Sequence, residues 1–142
     1  MLVLGETNAG RSQIAEGLLR AAVPATLEIY SAGRQPKDVE PAAIIAMSEI
    51  GIDISGQRAK HINDLRDLRF DVVVHVCRVG IEERARVSGR PIEVDWSLPE
   101  SADLTETDRL AAFRLMRDEL LPLAAAFARS WSWPQRAGGD RD

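Results

Sequence analysis

Short apolar runs alternate with amphipathic stretches along this chain. Leu2-Val3-Leu4 reads as a strand leading into Gly5-Glu6-Thr7-Asn8-Ala9-Gly10, after which Ile14, Leu18 and Leu19 recur at helical spacing. Leu27-Glu28-Ile29-Tyr30 reads as a second strand, closed by a turn at Ser31-Ala32-Gly33. Pro41 then opens a helical run through Ile44, Ile45, Met47 and Ile50, which Gly51 stops. Beyond a charged stretch from Asn63 to Arg69, Phe70 to Val76 is almost continuously apolar, as expected of a strand buried on both faces at the centre of a sheet. A short helix around Ile81 to Val87, a last strand from Pro91 to Trp96 and a long helix from Thr107 to Ala128 complete the pattern.

Such alternation predicts an α/β fold with a parallel sheet covered on both sides, its ligands bound at the carboxyl ends of the strands. The 142 residues fit one domain, expected over residues 1–133, and the glycine- and charge-rich tail from Pro134, residues 134–142, is expected to be disordered. No internal repeat is visible.

Composition narrows the function classes. Hydrophobic residues at 45% and charged residues at 28% are ordinary for a globular domain. A net charge of −4 offers no general attraction to nucleic acid. No apolar run approaches the ~20 residues that span a bilayer, and no signal segment follows Met1, so a cytoplasmic location is expected. One cysteine, Cys77, and two histidines, His61 and His75, exclude an internal disulfide framework and make a metal site improbable. No cofactor is expected, and the oligomeric state is not legible.

A glycine-bearing loop between a first strand and a helix directs backbone N–H groups and the positive end of the helix dipole toward one point, which suits a phosphate-like anion. Arg11 adds a guanidinium that can grip a tetrahedral oxyanion, and Ser12 adds a hydroxyl. A tight turn followed by a solvated arginine is the competing reading of these residues alone.

Gly5 to Gly17, with Arg11-Ser12 and Gln13-Ile14-Ala15-Glu16-Gly17, resembles the phosphate loop of the low-molecular-weight tyrosine phosphatases, in which a cysteine is followed by five residues and Arg-Ser. It is most similar to that of their thioredoxin-linked arsenate reductase relatives. Tyr30-Ser31-Ala32-Gly33, Gly51-Ile52-Asp53-Ile54-Ser55, Val72 to Cys77, Trp96 and Phe113 to Glu119 extend the match in register over about residues 2 to 129. The resemblance implies a three-layer sandwich with a central four-stranded parallel sheet flanked by helices. It also implies that residues Glu6, Thr7, Asn8, Ala9, Gly10, Arg11 and Ser12 bind phosphate, arsenate or sulfate.

The same resemblance shows what is missing. The family's loop cysteine attacks phosphorus or arsenic as a thiolate, and Gly5 stands in its place; loss of a comparable nucleophile costs on the order of 10⁶ in turnover. The second loop cysteine of many relatives is replaced by Gly10. Glu100 matches the family's acid but lacks its following proline, and an exposed surface glutamate is the alternative. Cys77 matches the second cysteine of the reductases' redox relay, while Arg84 takes the place of the third, so no intramolecular relay is expected. A buried, inert Cys77 is the competing reading. Some arsenate reductases keep a potassium ion beside the loop. Here Asn8, Glu16 and Ser31 match its surroundings, but Lys60 replaces an acidic residue; its ammonium either takes the ion's place and pairs with Glu16 or is solvated on a surface loop, and no potassium dependence is expected.

Glu6 bears on anion binding directly. A carboxylate about 4 Å from a bound anion would cost up to ~4 kcal/mol at an effective dielectric of 20, so Glu6 either points outward or folds in and supplies the carboxylate itself; the resemblance, in which the corresponding loop residue lines the entrance, favours the outward position. Three functions remain. The leading one is a non-catalytic relative that binds an oxyanion or a phosphorylated partner. The second is a residual reductase or phosphatase using Cys77, or water with Glu100. The third is an interaction module with a vestigial loop, in which Trp131 and Trp133 are either exposed anchors or caps on the core.

Overall fold

In a computed structural model, the protein is described over residues 1–77, 87, 89–97 and 106–130. Four strands, β1 (Leu2–Gly5), β2 (Tyr30–Gly33), β3 (Val72–His75) and β4 (Ile92–Asp95), form one sheet in the order β2-β1-β3-β4. All pairings are parallel, with Leu4 opposite Ala32 on one side and opposite His75 on the other. Among the described residues three helices, α1 (Arg11–Ala22), α2 (Pro41–Ser48) and α3 (Glu106–Ser130), accompany it.

The two faces of the sheet bury different sets of residues. Val3, Val72, Val74 and Val76 pack with Ile14, Leu18 and Leu19 of α1, Ala43 and Met47 of α2, and Phe113, Met116 and Leu120 of α3. Leu2, Leu4, Ala32 and Val73 face the opposite way, under Ile62 and Leu65 of a 3₁₀ turn and Phe70. The period-2 alternation of strand side chains produces this division, and it places the sheet between two covering layers as the expected α/β sandwich requires.

Two sequence expectations shift. β2 is Tyr30–Gly33 rather than Leu27–Tyr30, so the segment expected to be a turn is the strand. Its small residues answer a tertiary demand: Ser31 and Ala32 are fully buried, and a Cβ on Gly33 would meet the Glu6 carbonyl oxygen at 2.6 Å and the Asn8 nitrogen at 2.8 Å. β3 is interior as expected but shares the centre with β1. Gly51 does follow α2, with φ of 80° that suits glycine. The expected 81–87 helix, apart from Val87, and the 134–142 tail lie outside the described residues.

Candidate anion-binding loop

Residues 6–10 leave the carboxyl end of β1 and turn into α1. The carbonyl oxygens of Glu6, Thr7 and Ala9 accept hydrogen bonds from the backbone N–H groups of Gln35, Lys37 and Glu40 at 2.9, 3.0 and 2.8 Å. That of Asn8 accepts from Gln13 Nε2 at 2.7 Å. No peptide bond among the described residues is cis, and across a trans peptide the C=O of one residue and the N–H of the next point in opposite directions. Three of these carbonyls are tied to the 35–40 strap and the fourth to Gln13, and each turns the following amide, that of Thr7, Asn8, Ala9 or Gly10, away from its own hydrogen-bond donor. None of these four donates to an acceptor among the described residues.

The helix continues the same array. Its first backbone bond is Ile14 N–H to Gly10 C=O at 2.9 Å, so the N–H groups of Arg11, Ser12 and Gln13 have no intrahelical acceptor and lie at the positive end of the dipole. Arg11 is the first helical residue and is half-buried.

Asn8 holds the loop in shape. It is the one non-glycine residue with positive φ, 51°, among the described residues, and asparagine tolerates that region better than most residues. Its Nδ2 donates to Ser12 Oγ at 2.9 Å and to Ser31 Oγ at 2.8 Å, and its Oδ1 accepts from the Lys60 N–H at 2.8 Å. Ser31 Oγ in turn donates to the buried carboxylate of Glu16. Asn8, Glu16, Ser31 and Lys60 are thus brought together, but the expected Lys60–Glu16 pair is not made. Arg20, one turn along α1, pairs with Glu16 at 2.9 Å, while the Lys60 ammonium donates to the Arg58 carbonyl at 2.7 Å. Burial lowers the Lys60 pKa, and Glu16 acts in the opposite direction. With Asn8 Oδ1 and the Glu16 carboxylate already serving protein donors, this donor set does not fit a potassium ion.

Glu6 is taken up by Arg34, whose Nε and second terminal nitrogen donate to Glu6 Oε2 at 3.1 and 2.9 Å on the exposed rim. Both side chains are partly solvated, so the pair itself is worth at most about 1 kcal/mol. Its effect on the loop is electrostatic: the carboxylate is compensated by a cation of its own.

Both glycine positions are crowded. A Cβ on Gly5 would lie 2.9 Å from Ser12 Oγ and 3.0 Å from Ser12 Cβ. A Cβ on Gly10 would lie 2.5 Å from Cε1 of Phe113, a buried residue of α3. Cys77 is buried, two residues beyond β3, and forms no disulfide. Glu100, Arg84, Trp131 and Trp133 lie outside the described residues. Arg20 stands at i+4 from Glu16, a spacing readable as an ion pair. Gln13, Arg34, Phe113 and the 35–40 strap carry no comparable local signal.

The family model of the low molecular weight phosphotyrosine protein phosphatases matches residues 1–93, and the chain belongs to that family. Within it, the chain is 34% identical over 125 residues to an arsenate reductase of Halalkalibacterium halodurans, covering 87% of this chain and 90% of that protein. It is 32% identical over 113 residues to a glutaredoxin arsenate reductase of Synechocystis sp., covering 80% and 83%. A solved arsenate reductase in the phosphate binding state superposes with a TM-score of 0.74 at 28% identity, over 92% of this chain and 97% of that one. Among the described residues no helix is long and apolar enough to cross a membrane.

Proposed function

We propose that this protein binds a tetrahedral oxyanion, phosphate or arsenate, either free or on a phosphorylated partner, and does so without cysteine-dependent turnover. One observation carries the reading: the carbonyls of residues 6–9 are all held by protein donors, which leaves the amides of residues 7–10 turned away from those donors beside the α1 N-terminus. Arg11 adds the guanidinium and Ser12 the hydroxyl. The phosphate binding state of a related arsenate reductase supports the choice of ligand.

Gly5 supplies no nucleophile, and Ser12 occupies the approach to its missing Cβ. A thiolate near the anion would repel it by up to ~4 kcal/mol at 4 Å and an effective dielectric of 20; with glycine that repulsion is absent. Loss of catalysis and retention of binding are therefore compatible. The test is a pair of assays on one preparation. Phosphate or arsenate should bind and Arg11→Ala should abolish that binding, while p-nitrophenyl phosphate is not hydrolysed. Turnover at a rate ordinary for a thiol phosphatase contradicts the proposal.

The residual-enzyme reading needs a reachable thiol, and Cys77 is 4% exposed. It requires arsenate reduction with an external thiol that disappears in Cys77→Ser, or phosphatase activity that disappears in Glu100→Gln.

A further inference from the structure

The sheet face opposite α1 carries a second constellation, separate from the anion loop. Interior parallel strands are normally apolar on both faces, yet His75 of the interior strand β3 shares this face with Val73 and with Glu93 of the edge strand β4. Register sets Val73 opposite Glu93 and His75 opposite Asp95, so Glu93 stands diagonally beside His75. His75 Nε2 lies 2.8 Å from Glu93 Oε1. An ionised carboxylate only accepts, so Nε2 carries the proton and Nδ1 is left with a lone pair.

That Nδ1 is buried without a hydrogen-bond partner among the described residues, in a residue only 5% exposed. Buried polar atoms are nearly always satisfied by protein, water or ligand, so this nitrogen is open to a partner from outside the described residues. The imidazole forms part of the wall of a cavity of about 240 Å³, together with Val73, Val87, Arg90, Pro91 and Glu93. This exceeds the ~30 Å³ share of one liquid water and falls below the ~300 Å³ at which drug-sized pockets begin.

We propose that this cavity binds a small aliphatic amino acid as a zwitterion. Its carboxylate meets Arg90, its ammonium meets the Glu93–His75 pair, and its side chain lies against Val73, Val87 and Pro91. Opposite charges on Arg90 and Glu93 match a zwitterion better than a plain anion or a plain cation. Among the described residues the imidazole is hydrogen-bonded through Nε2 alone, so a turn about Cβ–Cγ brings Nδ1 to an ammonium that takes over Glu93.

The experiment is an NMR titration of the full chain with L-valine, following the imidazole signals of its two histidines. His75 should shift saturably at millimolar ligand while His61 and the loop amides of Asn8 and Ala9 stay still. Arg90→Gln and Glu93→Gln, both at exposed positions, should each weaken binding roughly tenfold or more. Isobutyrate and isobutylamine should each bind more weakly than valine. A His75 signal that does not move, equal binding of isobutyrate, or unchanged affinity in Arg90→Gln overturns the proposal and leaves the cavity to solvent.

Discussion

Ser12 holds the space that a side chain at Gly5 would enter: its Oγ lies 2.9 Å from the ideal Cβ position and accepts from Asn8 Nδ2 at the same distance. A cysteine there must displace a hydroxyl that the loop already uses. Gly5→Cys is therefore expected to lower thermal stability and to weaken phosphate binding by tenfold or more wherever the thiol is ionised. Calorimetry across the thiol's titration range checks this, and unchanged affinity at every pH counts against it.

Gly33 is fixed by backbone rather than by side chains. Any Cβ meets the Glu6 carbonyl oxygen at 2.6 Å, and the fixed partners cannot swing aside. Gly33→Ala should push the loop out of register with its strap, reducing anion affinity more than it reduces global stability. Comparison of phosphate titrations with urea unfolding separates the two effects.

Asn8 joins the loop to Ser12, Ser31 and Lys60 through one buried side chain. Asn8→Ala should cost about 2–4 kcal/mol, from lost hydrogen bonds and partners left unsatisfied. The variant should unfold at lower urea concentration and bind phosphate weakly. Stability within the ordinary range of a surface substitution would show that the network matters little.

Glu49, at the end of α2, accepts from Arg114 and Arg117 of α3, and these bonds hold its pKa down at about 2, against the ordinary 4.5 of a glutamate. A carboxylate with a lowered folded pKa stabilises above its unfolded value and loses that contribution as pH falls toward the folded one. Wild type should exceed Glu49→Gln in stability at neutral pH. The gap should close between about pH 4.5 and pH 2, measured as the urea midpoint at each pH.

Potassium should have no specific effect. Exchanging sodium for potassium at constant ionic strength should leave both phosphate affinity and melting temperature unchanged, because Arg20 and Ser31 already serve Glu16. A potassium-specific rise in either would contradict the fit described above.

The loop was legible because Gly5 to Ser12 is one contiguous segment whose geometry follows from a strand running into a helix. Alternating apolar runs likewise revealed the parallel α/β fold. β2 was misplaced because its Ser-Ala-Gly sequence reflects close approach to the loop, and local propensity cannot register a contact with residues more than twenty positions away. The same holds for Phe113 over Gly10, Arg34 on Glu6 and the 35–40 strap, all of which depend on chain paths that only the fold defines. The Lys60–Glu16 expectation failed for another reason: Arg20 reaches Glu16 within a single helix, and a local partner at i+4 needs no loop to be ordered.

The most direct measurement is a calorimetric titration of the purified protein with inorganic phosphate, repeated on Arg11→Ala. Saturable one-to-one binding that vanishes in the variant is the predicted result. Absence of binding in the native chain, or binding indifferent to Arg11, would mean that the amides of residues 7–13 do not form an anion site.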